Sequence, residues 1–196
     1  RVRPSQVGGV RLDSVRGWIN CAEPTIPSSH RKFLGRFAGL GVRPESLWTC
    51  YAMAETVFAV SQSSDRAAPR IESIEREPFQ TSGAAVPARD DAPAGGTMSG
   101  GPRIEGTEVR ILDDKRHELP DRRVGEIAIR CGSLFSGYFR EPETTARVLS
   151  EGWFYTGDLG YVTDGHLFVT GRKKDLLIIA GRNYYPQDIE RIVCAV

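Results

Sequence analysis

Asp164-Gly165 stands between Tyr161-Val162 and Leu167-Phe168-Val169, and this short stretch restricts the fold tightly. A two-residue hairpin turn that matches the twist of its strands needs positive φ at its central residues, and Asp-Gly meets that need at low steric cost. The flanking runs are aromatic and apolar, so the stretch predicts an antiparallel hairpin. Period-two patterning extends upstream. Val109 and Ile111 alternate with polar neighbours, and Ile127 and Ile129 alternate with Glu126, Ala128 and Arg130. Short antiparallel strands joined by Gly-rich turns predict a small barrel or sandwich over residues 104–170. Pro142 suits the first turn of a short helix running towards Leu149.

The residues before this region read differently. Val15 to Cys21 is a strand candidate centred on Trp18-Ile19. Ser28 is a candidate N-cap for a helix carrying Phe33, Phe37 and Leu40, and Gly41 ends it. Leu47 to Tyr51 is the next strand. Strand, helix and strand predict a parallel pair, with ligands expected beyond the carboxyl ends of the strands. From 63 to 103, Ser, Ala, Pro, Gly, Arg and Asp dominate, which predicts a loop-rich, mobile segment with one short strand around Arg70–Ile74. A third unit begins at Gly171. It holds a strand at Leu176–Ile179, a turn at Gly181-Arg182-Asn183 and a helix opened by Pro186.

Lys+Arg 26 against Asp+Glu 25 gives a net charge of +1, which argues against nucleic acid as the main partner. No apolar run approaches a membrane span and no signal peptide is visible, so a cytoplasmic setting is expected. Cys21, Cys50, Cys131 and Cys194 form no CxxC pair and read as packed, reduced thiols. His30, His117 and His166 are scattered among polar or turn-like residues and read as surface groups. Residue 1 is not Met, and Ile189, Val193 and Val196 repeat at helical spacing with no stop signal after them. These features lead to the expectation of an internal piece of a longer protein.

Four short segments set polar groups after strands and beside Gly or Pro. They are Asn20-Cys21-Ala22-Glu23-Pro24, Tyr51-Ala52-Met53-Ala54-Glu55, Tyr155-Thr156-Gly157-Asp158-Leu159-Gly160, and Gly171-Arg172-Lys173-Lys174-Asp175 continued by Gly181 to Glu190. Singly, each has an ordinary reading as a turn or a solvated basic stretch. In this order they resemble the adenylate-forming superfamily of acyl-CoA synthetases, luciferases and peptide-synthetase adenylation domains. The tail Gly181-Arg182-Asn183-Tyr184-Tyr185-Pro186-Gln187-Asp188-Ile189-Glu190 is most similar to the fatty acyl-AMP ligase branch.

The resemblance implies a fold of α/β plus β class. It has the end of a parallel α/β adenylation subdomain (1–62), then a loop-rich segment and a small distorted β-barrel subdomain (63–170). A hinge and the start of a small α+β C-terminal domain follow (171–196). It implies that a fatty acid attacks the α-phosphate of ATP, giving an acyl-adenylate and pyrophosphate, with Mg²⁺ and cationic donors stabilising the growing phosphoryl charge. By resemblance Glu55 is the Mg²⁺ ligand, Asp158 accepts the ribose hydroxyls from a tight Gly turn, and Arg172 binds ribose or phosphate oxygens. Asn20, Ala22 and Glu23 belong to the loop flanking adenine. Tyr51 stacks on adenine from the other side, with Ala52 and Met53 beside it. Lys174 is the hinge. Cys21 and Ala52 stand where the family has Gly. The family's phosphate loop and catalytic lysine are expected upstream and downstream of this chain. Acyl carrier protein and CoA are the two acceptors to weigh, and a non-catalytic adenylate-binding module is a third reading.

Overall fold

A computed structural model describes residues 8–23, 25–64, 66–88 and 96–193. Strand β1 (Trp18–Asn20) leads into helix α1 (Pro27–Phe37) and then β2 (Leu47–Ala52) and β3 (Ala59–Gln62). β1 and β2 are parallel, with Trp18 opposite Leu47 and Asn20 opposite Thr49, and β3 runs antiparallel to β2. Pro27 rather than Ser28 starts α1. Ile26 occupies the cap position with no side-chain bond, because a proline in the first turn has its φ already set and no N–H to satisfy. Trp18 packs on Phe33 of α1 with ring centroids 5.3 Å apart. Gly41 closes the short helical turn after α1 at φ +99°.

Next come β4 (Ile71–Glu72), α2 (Arg76–Ser82), β5 (Thr97–Met98), β6 (Thr107–Leu112) and β7 (Gly125–Cys131). They are followed by α3 (Pro142–Val148), β8 (Leu149–Ser150), β9 (Trp153–Thr163) and β10 (His166–Arg172). An antiparallel sheet runs β10-β9-β7-β6, with β8 folded onto β9. The Asp-Gly hairpin forms as read: Thr163 faces His166, with Asp164 at φ +48° and Gly165 at φ +75°. On one face of the sheet, Ile111, Ile127, Ile129 and Leu167 bury together with Val60 of β3. This contact packs the small α/β sheet against the larger one.

Most described residues of 63–103 lie outside regular elements, and the opposite face of the sheet anchors them. Residue 65 and residues 89–95 lie outside the described residues. What is described carries β4, α2 and β5, and it is anchored. Phe79 of α2 and Ala85 are buried with Leu159, Tyr161 and Phe168 of β9 and β10 and with Tyr185. Arg122 forks onto both oxygens of Glu72 at 3.0 and 3.1 Å. The composition of this stretch hid one aromatic anchor and one ion pair, and two such contacts hold a chain with little periodicity of its own.

After β10 come β11 (Leu177–Ile179), β12 (Arg182–Tyr184) and α4 (Pro186–Val193). The turn between β11 and β12 is Ala180-Gly181, at φ +49° and +75°, so Arg182 and Asn183 are strand residues rather than turn residues. Truncating Phe79 to Ala should lower stability by about 3–5 kcal/mol, as for other buried aromatics. Urea unfolding followed by tryptophan fluorescence measures it, and a loss near zero would show that α2 is not anchored.

Candidate active site

Arg172 and Asp158 are register partners on adjacent strands β10 and β9. The sequence reading placed Asp158 in a tight Gly turn. Instead both side chains project from strands, and a bulge supplies the irregularity. β9 spends Thr156, Gly157 and Asp158 against the single residue Ile127 of β7, since Glu126 faces Leu159 and Ala128 faces Tyr155. Gly157 takes φ +72°, which a residue with a Cβ adopts only with strain. The groups freed by the bulge find side-chain partners. The Thr156 hydroxyl donates to the Ile127 carbonyl at 2.8 Å and accepts from the Asp158 N–H at 3.0 Å. The Gly157 N–H donates to Glu126 Oε1 at 3.2 Å. Glu126 Oε2 accepts from Lys173 Nζ at 3.1 Å, and Lys173 also reaches Asp114 at 2.9 Å.

The bulge aims Asp158 into a cleft between the two sheets. Its Oδ2 accepts the Tyr51 hydroxyl at 2.7 Å, and its Oδ1 lies 3.5 Å from Arg172 Nε. One lobe, about 200 Å³, is bounded by Ala22, Glu23, Tyr51, Ser99, Gly100 and Arg172. A second lobe of about 490 Å³ reaches Glu55, Thr156, Lys173 and Lys174. Met53, Asp158 and Arg172 line both, so the lobes meet at the Asp158–Arg172 pair. Glu55 Oε1 accepts the Tyr138 hydroxyl at 2.7 Å, which leaves the carboxylate's other lone pairs for further partners. Mg²⁺ is usually held by one or two carboxylates together with phosphate oxygens. Glu55 therefore fits such an ion, whereas no cluster of three ligating residues occurs among the described residues to form an all-protein cage.

Burial raises the Asp158 carboxyl above its ordinary value, even though the Tyr51 hydrogen bond and the Arg172 charge both pull it down. Burial, then the neighbouring Asp158 charge, pushes Tyr51 well above the usual phenol value. Tyr138 is pushed up to about 12 by burial and by Glu55. Both tyrosines therefore remain donors at neutral pH, and each fixes one carboxylate.

Of the residues singled out from the sequence, Ala22, Glu23, Tyr51, Ala52, Met53, Glu55, Asp158, Arg172 and Lys174 border this cleft. Asn20 does not. It lies in a separate depression with Trp18, Ile19, Ser29, His30 and Phe33. Ala22, rather than Cys21, takes the positive φ, +74°. Pro24 lies outside the described residues. His166 is no surface group: it is buried, and its Nδ1 lies 3.2 Å from Ser99 Oγ. Sequence reading missed Ser99, Gly100 and Tyr138 and gave Lys173 no role of its own. The signal for one of them was present in Gly100-Gly101. At Gly101, φ is +94° and a Cβ would fall 2.2 Å from the Gln62 carbonyl carbon. That close approach lets residues 99–103 bridge β3 and β10, through Gly100 N–H to the Leu167 carbonyl and Gln62 N–H to the Pro102 carbonyl.

Residues 3–139 match the family model described as AMP-binding enzyme. The long-chain-fatty-acid–AMP ligase FadD26 of Mycobacterium tuberculosis is 33% identical over 206 aligned residues, covering 98% of this chain and 35% of that protein. A solved structure from work on the fatty acyl-adenylate ligases of E. coli and L. pneumophila superposes with a TM-score of 0.91 at 32% identity, covering 100% of this chain and 36% of its own. The L. pneumophila fatty acyl-adenylate ligase in complex with acyl adenylate and pyrophosphate gives 0.82 at 33% identity, covering 100% and 36%. The chain thus spans about a third of the length of the proteins it matches.

Replacing Tyr51 by Phe removes the hydroxyl that holds the Asp158 carboxyl down. The Asp158 pKa should rise further, read from the carboxyl carbon chemical shift across a pH titration. Asp158 already titrates above its unfolded value, so its ionisation costs stability as pH rises from the unfolded pKa through the folded one. In Tyr51→Phe that loss should grow and extend to higher pH. A downward shift would show that the hydrogen bond does not favour the carboxylate.

Proposed function

This chain belongs to the AMP-binding enzyme family, and from that premise we propose that it supplies the adenylate-binding part of an ATP-dependent fatty acyl-AMP ligase. The observation that carries this reading is the Asp158–Arg172 pair, set on neighbouring strands at the junction of two cleft lobes. A nucleotide has a neutral, diol-bearing half and an anionic half. The smaller lobe, with Tyr51, Ala22 and Glu23, suits the nucleoside. The larger, with Arg172, Lys173 and Lys174, suits the phosphates.

In this reading Asp158 accepts the ribose hydroxyls. Tyr51 occupies one of its lone pairs on Oδ2, and the rest stay available. Arg172 offers its planar donors to ribose and α-phosphate oxygens as the fatty acid carboxylate attacks and pyrophosphate leaves. Glu55, oriented by Tyr138, holds Mg²⁺. When bound, that ion neutralises phosphoryl charge. Tyr51, Ala52 and Met53 form the wall on one side of adenine, with Ala22 and Glu23 opposite. Lys174 is the hinge, in the short helical turn just after β10, so the division of the chain after residues 62 and 170 belongs to the same reading. Acyl carrier protein is the proposed acceptor and the cytoplasm the proposed setting. Among the described residues no helix is long and apolar enough to cross a membrane. The relatives are about three times as long as this chain. Turnover is therefore assigned to the longer protein, and the 196 residues by themselves are expected to release no pyrophosphate.

In the full-length enzyme, Asp158→Ala should slow ATP–pyrophosphate exchange with a fatty acid by roughly 10- to 150-fold, the equivalent of one charged hydrogen bond of about 1.5–3 kcal/mol. Lys174→Ala should leave exchange within a few-fold of wild type and depress transfer to the acceptor. Equal loss of exchange in both variants would sink the hinge assignment. Product analysis tests the reaction itself: acyl-adenylate should accumulate without an acceptor and pass to a carrier protein in its presence, and acyl-CoA as the main product would replace the acceptor proposed here.

A further inference from the structure

Three described cysteines, Cys21, Cys50 and Cys131, are free thiols, and Cys194 lies outside the described residues. Two of the three lie at the ends of adjacent strands, and one of them, Cys50, lines the smaller lobe of the cleft. β1 and β2 are parallel, with Ile19 opposite Trp48 and Asn20 opposite Thr49. Cys21 and Cys50 each follow the last of these pairs by one residue, and the Cys21 thiol lies near enough to push Cys50 up. Register partners in a parallel pair point to the same face, and neighbouring strands lie about 4.8 Å apart, within the Cα separation that a disulfide spans. Cys50 is buried and lines the smaller lobe, while Cys21 is half-exposed and leads directly into Ala22 and Glu23 of the same lobe.

We propose that Cys21 and Cys50 form a reversible disulfide that acts as a redox switch on the nucleotide lobe. The oxidant is a peroxide. The Cys21 thiolate attacks a peroxide oxygen, giving a sulfenic acid and, from hydrogen peroxide, one water. The Cys50 thiolate then displaces the sulfenic hydroxyl, the S–S bond forms and a second water leaves. Two thiols are oxidised and one peroxide is reduced. The order follows from exposure, since a peroxide meets Cys21 first. Burial, and then the nearby Cys21, pushes the Cys50 thiol up to about 11, which disfavours Cys50 as the first to react.

The bond has a direction of effect. A disulfide needs its Cβ atoms about 3.5–4.5 Å apart, closer than strand neighbours usually sit. Drawing them together pulls on the turn after Cys21. Ala22 there already holds φ +74°, which a non-glycine residue adopts only at a cost, so the Ala22–Glu23 wall shifts rather than relaxes. This effect on nucleotide rests on the adenylate reading above; the cross-link itself does not.

The experiment treats the full-length protein with hydrogen peroxide and then blocks remaining thiols. The expected result is a loss of two hydrogens in intact mass and a tryptic peptide ending at Arg31 joined to one ending at Arg66, both reversed by dithiothreitol. ATP affinity, measured by calorimetry, should fall about tenfold on oxidation and recover on reduction. Cys21→Ser and Cys50→Ser should each abolish the cross-link and the redox response together. Over-oxidation of Cys21 with Cys50 still alkylatable, or a bond to any other cysteine, overturns the proposal. A cross-link without any change in ATP affinity overturns the switch. Absence of ATP binding in the reduced protein counts against the adenylate reading instead, and the peptide map tells the two failures apart.

Discussion

The hydrogen bond from the Tyr51 hydroxyl to Asp158 joins two sheets that share no strand. Tyr51 comes from the end of β2, and Asp158 from the bulge in β9. Around it the apolar packing of Val60 against Ile111, Ile127, Ile129 and Leu167 supplies the adhesion. That packing is non-directional, and it does not say which polar groups meet at the seam. The tyrosine does. It commits a donor to a carboxylate that burial would otherwise drive towards its neutral form, and it leaves the charge facing Arg172. A second tyrosine repeats the device 2.7 Å from Glu55.

Glu126 extends this arrangement to the end of β10. One oxygen accepts the Gly157 N–H inside the bulge and the other accepts Lys173, the residue before the proposed hinge. The carboxylate that shapes the Asp158 bulge thus also holds the residue just before the proposed hinge.

Residues 63–103 illustrate how function can rest on a stretch without pattern. Its large apolar residues are few and irregularly spaced, and among the described residues some side chains meet partners distant in sequence. Phe79 finds Tyr185, with ring centroids 5.3 Å apart, and Glu72 finds Arg122. Gly100 and Gly101 thread between β3 and β10 and complete one wall of the cleft. Looseness in composition coexists here with tight placement, because a loop needs only a few buried anchors to be held.

The sequence by itself determined the local elements. The Asp164-Gly165 hairpin and the alternating strands β6 and β7 follow from turn chemistry and period-two patterning, which act between near neighbours, and the parallel β1–β2 pair from the order strand, helix, strand. The residue types of the cleft were also legible, in Tyr51, Glu55, Asp158 and Arg172, through the segments that resemble the adenylate-forming superfamily. Only the tertiary structure decided how those residues meet. It put Asp158 on a bulged strand rather than a turn, turned Asn20 away from the cleft, buried His166 against Ser99, and brought Tyr138 to Glu55 across 83 positions of chain. The physical reason is range. Propensity and periodicity are set by residues a few positions apart, whereas a hydrogen bond closing a long loop exists only once the two sheets have packed.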